Sequence, residues 1–164
     1  MKIISIVGPE STGKTTLARD MARCLGGVWL PEYAREFLET PDYDAHDLKA
    51  ITMEQWERER SVLLACPRVT IFDTDLVVIK IWWNERFGCV PEFVDERLAN
   101  QRNRQYLLTA PDLEWEYDPL RESRDDRDRL LEVYKETLRS LGFDFTVISG
   151  QGSSRLSKAI AAVR

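Results

Sequence analysis

Cysteine and histidine are scarce in this 164-residue chain, which carries three of the first and one of the second. Cys24, Cys66 and Cys89 are odd in number, widely spaced and form no C-x-x-C pair. That excludes a disulfide framework and leaves no zinc-ligand pattern, so the three read as reduced thiols, mostly packed in the core. The lone His46 stands in a polar stretch, Asp42-Tyr43-Asp44-Ala45-His46-Asp47, where a surface role fits better than catalysis. A basic excess is also missing. The formal net charge is −5, and a nucleic-acid partner needs a basic face, so none is expected beyond a local cleft. No apolar run approaches the length of a membrane span, and the first apolar stretch is too short for a signal-peptide core. The expectation is a cytoplasmic protein with no membrane partner. Repeats and low-complexity tracts are lacking, and nothing in the chain speaks to oligomeric state.

What is present describes an ordinary globule. The hydrophobic fraction is 43% and the charged fraction 31%, enough for one domain over residues 1–164 with a real core. Its most informative stretch is Gly8-Pro9-Glu10-Ser11-Thr12-Gly13-Lys14-Thr15, followed by Thr16. It fits G-x-x-x-x-G-K-[ST], the loop that wraps nucleotide phosphates. Ile3-Ile4-Ser5-Ile6-Val7 precedes it as a β-branched apolar strand. After it, Leu17, Met21 and Leu25 recur at helical spacing until Gly26-Gly27 ends the helix. Strand, glycine loop and helix follow in the order that turns backbone N–H groups and a helix N-terminus onto the phosphates. Lys14 is expected to reach the β- and γ-phosphates and the Thr15 hydroxyl to ligate Mg²⁺. A bound nucleoside triphosphate is the direct implication.

Further strands are expected at Val28–Leu30, Val69–Phe72, Gln105–Thr109 and Phe145–Ile148. Helical patterns cover about 47–65 with Asp47 as N-cap, then 76–87, 91–100, 126–141 and 154–163. Strands alternating with helices mean a doubly wound α/β fold. The predicted class is a P-loop NTPase: a five-stranded parallel sheet, helices on both faces, and an arginine-bearing lid over about 111–129.

Candidate residues cluster where such a sheet binds ligands, beyond the carboxyl ends of its strands. Asp73 ends the third strand, as an acid that holds Mg²⁺ directly or through water does. Asp75 is either the cap of the next helix or a substrate contact. Glu32 follows the second strand and could accept, or orient, the proton of an attacking hydroxyl. Arg35 sits one helical turn later and reads as its functional partner or as half of a surface ion pair. In the segment 120–129, Arg121, Arg124 and Arg127 recur every three residues, so a helical lid would align them. Such guanidinium groups stabilise the charge of a transferring phosphoryl group; the alternative is a solvated helix laced with ion pairs. Arg129 belongs to its exposed face. Among the aromatics, Trp29, Tyr33, Tyr43, Trp82, Trp83 and Trp115 could stack on a base, and Trp115, in a polar loop, is the best placed.

Taken together, the phosphate loop, Glu32-Tyr33-Ala34-Arg35-Glu36, Phe72-Asp73-Thr74-Asp75, Trp115-Glu116-x-Asp118-Pro119-Leu120-Arg121 and the late Gly150…Arg155 resemble one family. It is the ribosylnicotinamide kinase domain of NadR-type proteins, with the related stand-alone P-loop ATPases and kinases. The likeness runs in the same order over nearly the whole chain. It implies ATP-dependent phosphorylation of a nucleoside 5′-hydroxyl, with nicotinamide riboside as the small-molecule acceptor and ATP and Mg²⁺ as cofactors. On that analogy Glu32 or Asp73 handles the hydroxyl, Tyr33, Arg35, Asp75 and Trp115 face the acceptor, and Arg121 and Arg127 serve as lid arginines. Two ring-stacking positions of the family are Pro31 and Arg60 here, with Trp29 or Trp56 as the candidate replacements. Nothing resembles the adenylyltransferase or DNA-binding domains that accompany the kinase in full-length NadR, so neither that reaction nor a repressor role is expected. A kinase for another nucleoside or nucleotide, or an ATP-hydrolysing regulatory switch, remains the alternative.

Overall fold

A computed structural model of the chain describes residues 1–101, 103–118, 120 and 124–164. Five strands form one all-parallel sheet: β1 (Lys2–Val7), β2 (Val28–Leu30), β3 (Val69–Asp73), β4 (Arg104–Thr109) and β5 (Phe145–Ile148). Their order is β2-β3-β1-β4-β5, with Ile4 level with Ile71 on one side and Gln105 on the other. Seven helices are described: α1 (Lys14–Leu25), α2 (Ala34–Phe37), α3 (Ala45–Leu64), α4 (Leu76–Phe87), α5 (Glu92–Ala99), α6 (Arg127–Ser140) and α7 (Gly152–Ala162).

Strand alternation decides which helix packs where. Ile4 and Ile6 of β1 face Leu17 and Met21 of α1 and Ala159 of α7. Val7, with Tyr106 and Leu108 of β4, faces α4 and α6 on the opposite side. Both faces are covered, so the buried positions of the central strands are mostly apolar, as a parallel sheet requires. α4 is buried along most of its length, from Leu76 through Ile79 and Ile81 to Trp83, which is why its sequence is apolar nearly all round. Each fully buried aliphatic side chain here stabilises by about 1.5–3 kcal/mol. The connection after β1 runs toward β2 and the one after β3 crosses toward β4. The chain therefore reverses between β1 and β3, the crevice where doubly wound sheets hold ligands.

Several expectations need correction. The long helix α3 starts earlier than expected, and its N-cap is Asp44. Asp44 Oδ1 accepts from the backbone of His46 (2.7 Å) and Asp47 (3.0 Å), while Asp47 Oδ2 accepts from Asp44 N, a reciprocal capping box. His46 thus lies in the first turn of α3, not in a loop, and is exposed. All three cysteines are exposed rather than core-packed. Cys66 occupies a left-handed turn after α3 (φ 50°) and Cys89 follows the Gly88 cap of α4. The short helix α2 has no counterpart in the sequence pattern. Between β4 and Arg127 the described residues contain no helix, and the middle of the expected lid, with Arg121, lies outside the described residues. Among the described residues, no helix is long and apolar enough to cross a membrane.

Candidate active site

The loop between β1 and α1 has its shape forced by close neighbours. A Cβ on Gly8 (φ 142°) would stand 2.4 Å from Thr109 Oγ1 and 2.8 Å from Thr109 O, so only glycine lets the chain pass the end of β4. Gly13 caps α1 in the left-handed region (φ 72°), where a Cβ would meet Leu113 at 2.9 Å. Thr12 Oγ1 hydrogen-bonds Pro9 O at 2.8 Å and Thr109 Oγ1 at 2.7 Å, pinning the loop to β4. Ser11 Oγ accepts from Glu116 N at 3.0 Å. Arg127 Nη1 donates to Leu113 O at 3.0 Å and Ser11 O at 3.4 Å. The stretch 113–116 is thereby stitched onto the loop. Lys14 Nζ donates to Gly8 O (2.9 Å) and Pro9 O (2.8 Å). Burial lowers its pKa, against the opposing pull of Glu32, Asp73 and Glu10.

Across the crevice, Asp73 closes β3 and is 1% exposed. Neither carboxylate oxygen has a hydrogen-bond partner of good geometry among the described residues. Burial, with Glu32 adding, pushes its pKa up to about 6, while the nearby Thr15 hydroxyl, Lys14 and Arg35 pull it down. Thr74 turns the chain sharply there (φ 79°), its N–H bonded to Ile6 O at 3.2 Å. A β-branched residue in that region is strained. Glu32, buried at the end of β2, accepts from Arg35 Nε at 3.2 Å, and Arg35 Nη1 donates to Asp118 at 2.7 Å. The E-Y-A-R and W-E-x-D segments, 83 residues apart, therefore meet through Arg35.

Lys14, Glu32 and Arg35 border one cleft of about 1290 Å³, and Asp73 lies buried in electrostatic contact with all three. The whole loop Gly8–Thr16 lines this cleft, including Pro9, Glu10, Ser11, Thr12 and Thr15. One lobe runs past Thr16 to Gln151, Gly152 and Arg155. Arg155 is 4% exposed and ties this lobe down, donating to Asp112, Gly150 O and Ala110 O. The other lobe passes Glu32 to Tyr43, Val78, Ile81, Trp82 and Tyr134.

Other expected residues lie elsewhere. Asp75 does not face the cleft. It caps α4, accepting from Val77 N at 2.9 Å, and joins a buried cluster in which Arg104 Nη1 donates to Asp75 (3.0 Å) and Glu59 (3.0 Å). Gln101 also donates to Asp75, and Gln55 links Glu59 to the Tyr33 backbone. The Tyr33 ring turns to α3, lying under Arg58 and against Phe37. Trp115 lies beneath Arg127 (5.7 Å) and lines no part of the cleft. Arg124 is exposed in a turn, and Arg127 opens α6 with its guanidinium spent on loop carbonyls. Arg121 lies outside the described residues. Arg129 is exposed, as expected, and also borders the cleft, pairing with Glu85 and Asp126. The candidate replacements also miss: Trp29 packs with the α1 side of the core, and Trp56 lies under Arg97. Tyr43 and Trp82 are only two of several aromatics in the sequence; the α4 spacing Val78-Ile81-Trp82-Glu85 is the signal that singles out Trp82.

A search of curated proteins finds no match. The chain is similar in structure to NadR protein in complex with NR (TM-score 0.79, 22% identity, covering 99% of this chain and 50% of that one). It is similar to NadR in complex with NAD and AMP-PNP (0.75, 22%, 99% and 48%). The chain thus spans about half the length of those proteins. Deoxyadenosine kinase from M. mycoides, with products dCMP and dCDP bound, is a further likeness (0.66, 14%, 98% and 97%). At such identities these likenesses establish the fold, that of a P-loop NTPase with an all-parallel sheet. A profile described as AAA domain (AAA_28) matches residues 3–155, nearly the whole chain, and the chain belongs to that family.

Proposed function

We propose that this protein is an ATP-dependent kinase that moves the γ-phosphate to the 5′-hydroxyl of a nucleoside, with nicotinamide riboside the leading acceptor. The observation that carries the reading is the coupled set in the crevice: Lys14 on the glycine loop, facing two carboxylates, Asp73 and Glu32, of which Asp73 has no protein donor of good geometry among the described residues. A second buried carboxylate beside the first can orient an attacking hydroxyl. The similarity to NadR with NR bound and to deoxyadenosine kinase supports a nucleoside-type acceptor.

In this reading the loop amides and the N-terminus of α1 hold the triphosphate, and Lys14 exchanges its two carbonyl partners for phosphate oxygens. The base of ATP lies in the lobe bordered by Gln151, Gly152 and Arg155. Asp73 and the Thr15 hydroxyl fit a hard cation, since buried carboxylate oxygens without donors are the ligands such ions take. Mg²⁺ held there would supply positive charge to offset that of the phosphates. Glu32, fixed by Arg35, accepts the hydrogen bond of the attacking hydroxyl and sets its direction. Arg121 is retained as a lid arginine on its sequence position alone. The whole described chain works as one kinase domain.

The test is transfer of label from ATP to a panel of nicotinamide riboside, deoxyadenosine, other nucleosides and shikimate. Labelled nicotinamide riboside phosphate supports the reading; label released only as inorganic phosphate refutes it in favour of an ATP-hydrolysing switch. Glu32→Gln is expected to slow transfer about 100-fold, within the range for a positioned proton acceptor, with the Kd for ATP nearly unchanged. Equal loss of both would remove Glu32 from the acceptor side.

A further inference from the structure

Beyond Glu32, the wall of the second lobe of the cleft is mostly apolar and aromatic. Val78, Ile81, Trp82 and Glu85 line it from α4 at i, i+3, i+4 and i+7, a single stripe of the helix. Tyr43, just before α3, meets that stripe, its ring 6.4 Å from Trp82 and inclined at 30°. Leu38, Pro41 and Tyr134 complete an apolar surround. The polar groups near the rim are already engaged: Glu85 with Arg129, and Arg86 over the Tyr43 ring at 5.0 Å. The phosphate end of the same cleft, in contrast, is charged and donor-rich. Trp82 lies about 9 Å of helical rise beyond Leu76, the first residue of α4. Asp73 stands just before that helix, so a stripe of fixed length connects the reacting end to the indole.

We propose that Trp82, with Tyr43, is the specificity-determining seat for a planar heteroaromatic ring carried by the phosphoryl acceptor. The inference rests on the kinase reading and deepens it, by naming the part of the acceptor that this lobe selects. A sugar hydroxyl lies against Glu32, the sugar spans Val78 and Ile81, and the ring stacks on the indole. Aromatic stacking on a base is sequence-tolerant and needs no hydrogen-bond partner. That matches a lobe whose nearby charges are already paired. A cationic ring gains further from the indole face.

The experiment compares wild type with Trp82→Ala, Trp82→Phe and, as control, Trp56→Phe, at a half-buried α3 residue that lines no part of the cleft. With nicotinamide riboside as acceptor, Trp82→Ala is expected to raise the acceptor KM about tenfold. KM for ATP should stay within about twofold, Trp82→Phe should recover most of the loss, and Trp56→Phe should match wild type. An unchanged acceptor KM, or an equal rise for ATP, overturns the proposal. A second arm needs no turnover: nicotinamide riboside is titrated against intrinsic tryptophan fluorescence in the presence of a non-hydrolysable ATP analogue. Saturable quenching in wild type that is lost in Trp82→Phe supports the ring seat even if no acceptor is phosphorylated, in which case only the kinase reading falls. Wild type without quenching, or Trp82→Phe quenched as fully, sinks the ring seat while leaving the kinase reading to the transfer assay.

Discussion

Asp73 and Asp75 are two residues apart, the same residue type, and both essentially without solvent exposure, yet they belong to opposite kinds of environment. Asp75 is spent on structure. Val77 N, Arg104 and Gln101 all donate to it, and Arg104 also neutralises Glu59. Asp73 carries its desolvation cost with no donor of good geometry, and its pKa is raised to about 6. The strained turn at Thr74 separates the two, leaving one carboxylate in electrostatic contact with Lys14 and Glu32 and the other capping α4. Two buried charged clusters therefore flank the end of β3. One has both its acids paired to Arg104 and holds β2, β3 and β4 together through Gln55, Glu59 and Arg104. The other is left imbalanced on the ligand side, as a site awaiting a cation and phosphates would be.

The largest expected effect breaks the paired cluster. Arg104→Met keeps an unbranched apolar stem but leaves Asp75 and Glu59 buried without their cation. Removing one partner of a buried ion pair costs about 3–5 kcal/mol, and here two acids are orphaned at once. A urea midpoint lowered by that amount is expected; a change under about 1 kcal/mol would show the cluster to be solvated and the contrast false. Asp73→Asn probes the other side and should do nearly the reverse. Asparagine removes a desolvated charge that no protein group balances, so stability near neutral pH should hold or rise. Phosphoryl transfer, in contrast, should fall on the order of 10²–10³-fold, the range for losing a fixed electrostatic group at a reacting centre. Loss of stability in Asp73→Asn comparable to that of Arg104→Met would make Asp73 a structural residue.

The contrast also marks what the chain made legible. The central strands were readable because each is buried on both faces and so is mostly apolar and β-branched, as in Ile3–Val7 and Val69–Phe72, where Ser5 and Thr70 are the buried exceptions. The phosphate loop was readable because its glycines answer steric demands, at Gly8 against Thr109 and at Gly13 in a left-handed cap. Helix starts were less so: Asp44 and Asp47 are both competent caps, and only the reciprocal bonding of the pair fixes the first turn. The acceptor side was least legible. Asp75, Tyr33 and Trp115 occupy motif positions that suggest contact, but side-chain direction there depends on partners distant in sequence, namely Arg104, Arg58 and Arg127. Arg35 meets Asp118 across a comparable gap. Local pattern holds no record of such pairings. Gln55 and Glu59 interrupt the apolar face of α3 for the same reason: they are buried for Arg104 and the Tyr33 backbone, not for the core.

A smaller effect sharpens the comparison through pH. Glu59 is buried beside Arg104, Asp75 and Gln55; burial pushes its pKa up to about 7, against the pull of Arg104 and with Asp75 adding. In the unfolded chain the same group titrates near the ordinary 4.5. Between those values the native state binds more proton than the unfolded one, so the slope of unfolding free energy with pH is negative. The contribution is fully present below about 4.5 and is lost as pH rises through about 7. A tenfold difference in acidity between the folded and unfolded carboxyl is worth about 1.4 kcal/mol, so the total is of the order of a few kcal/mol. Glu59→Gln removes this titration while keeping a hydrogen-bonding group against Arg104. Asp73 titrates with the same sign over an overlapping range, but it does so in both proteins and drops out of their difference. Urea midpoints measured from about pH 4.5 to about pH 7.5 should show wild type losing stability relative to the variant across that window. Parallel curves would mean that Glu59 stays ionised throughout, with Arg104 prevailing over burial, and that the cluster beneath α4 is a permanent ion triad rather than one that takes up a proton.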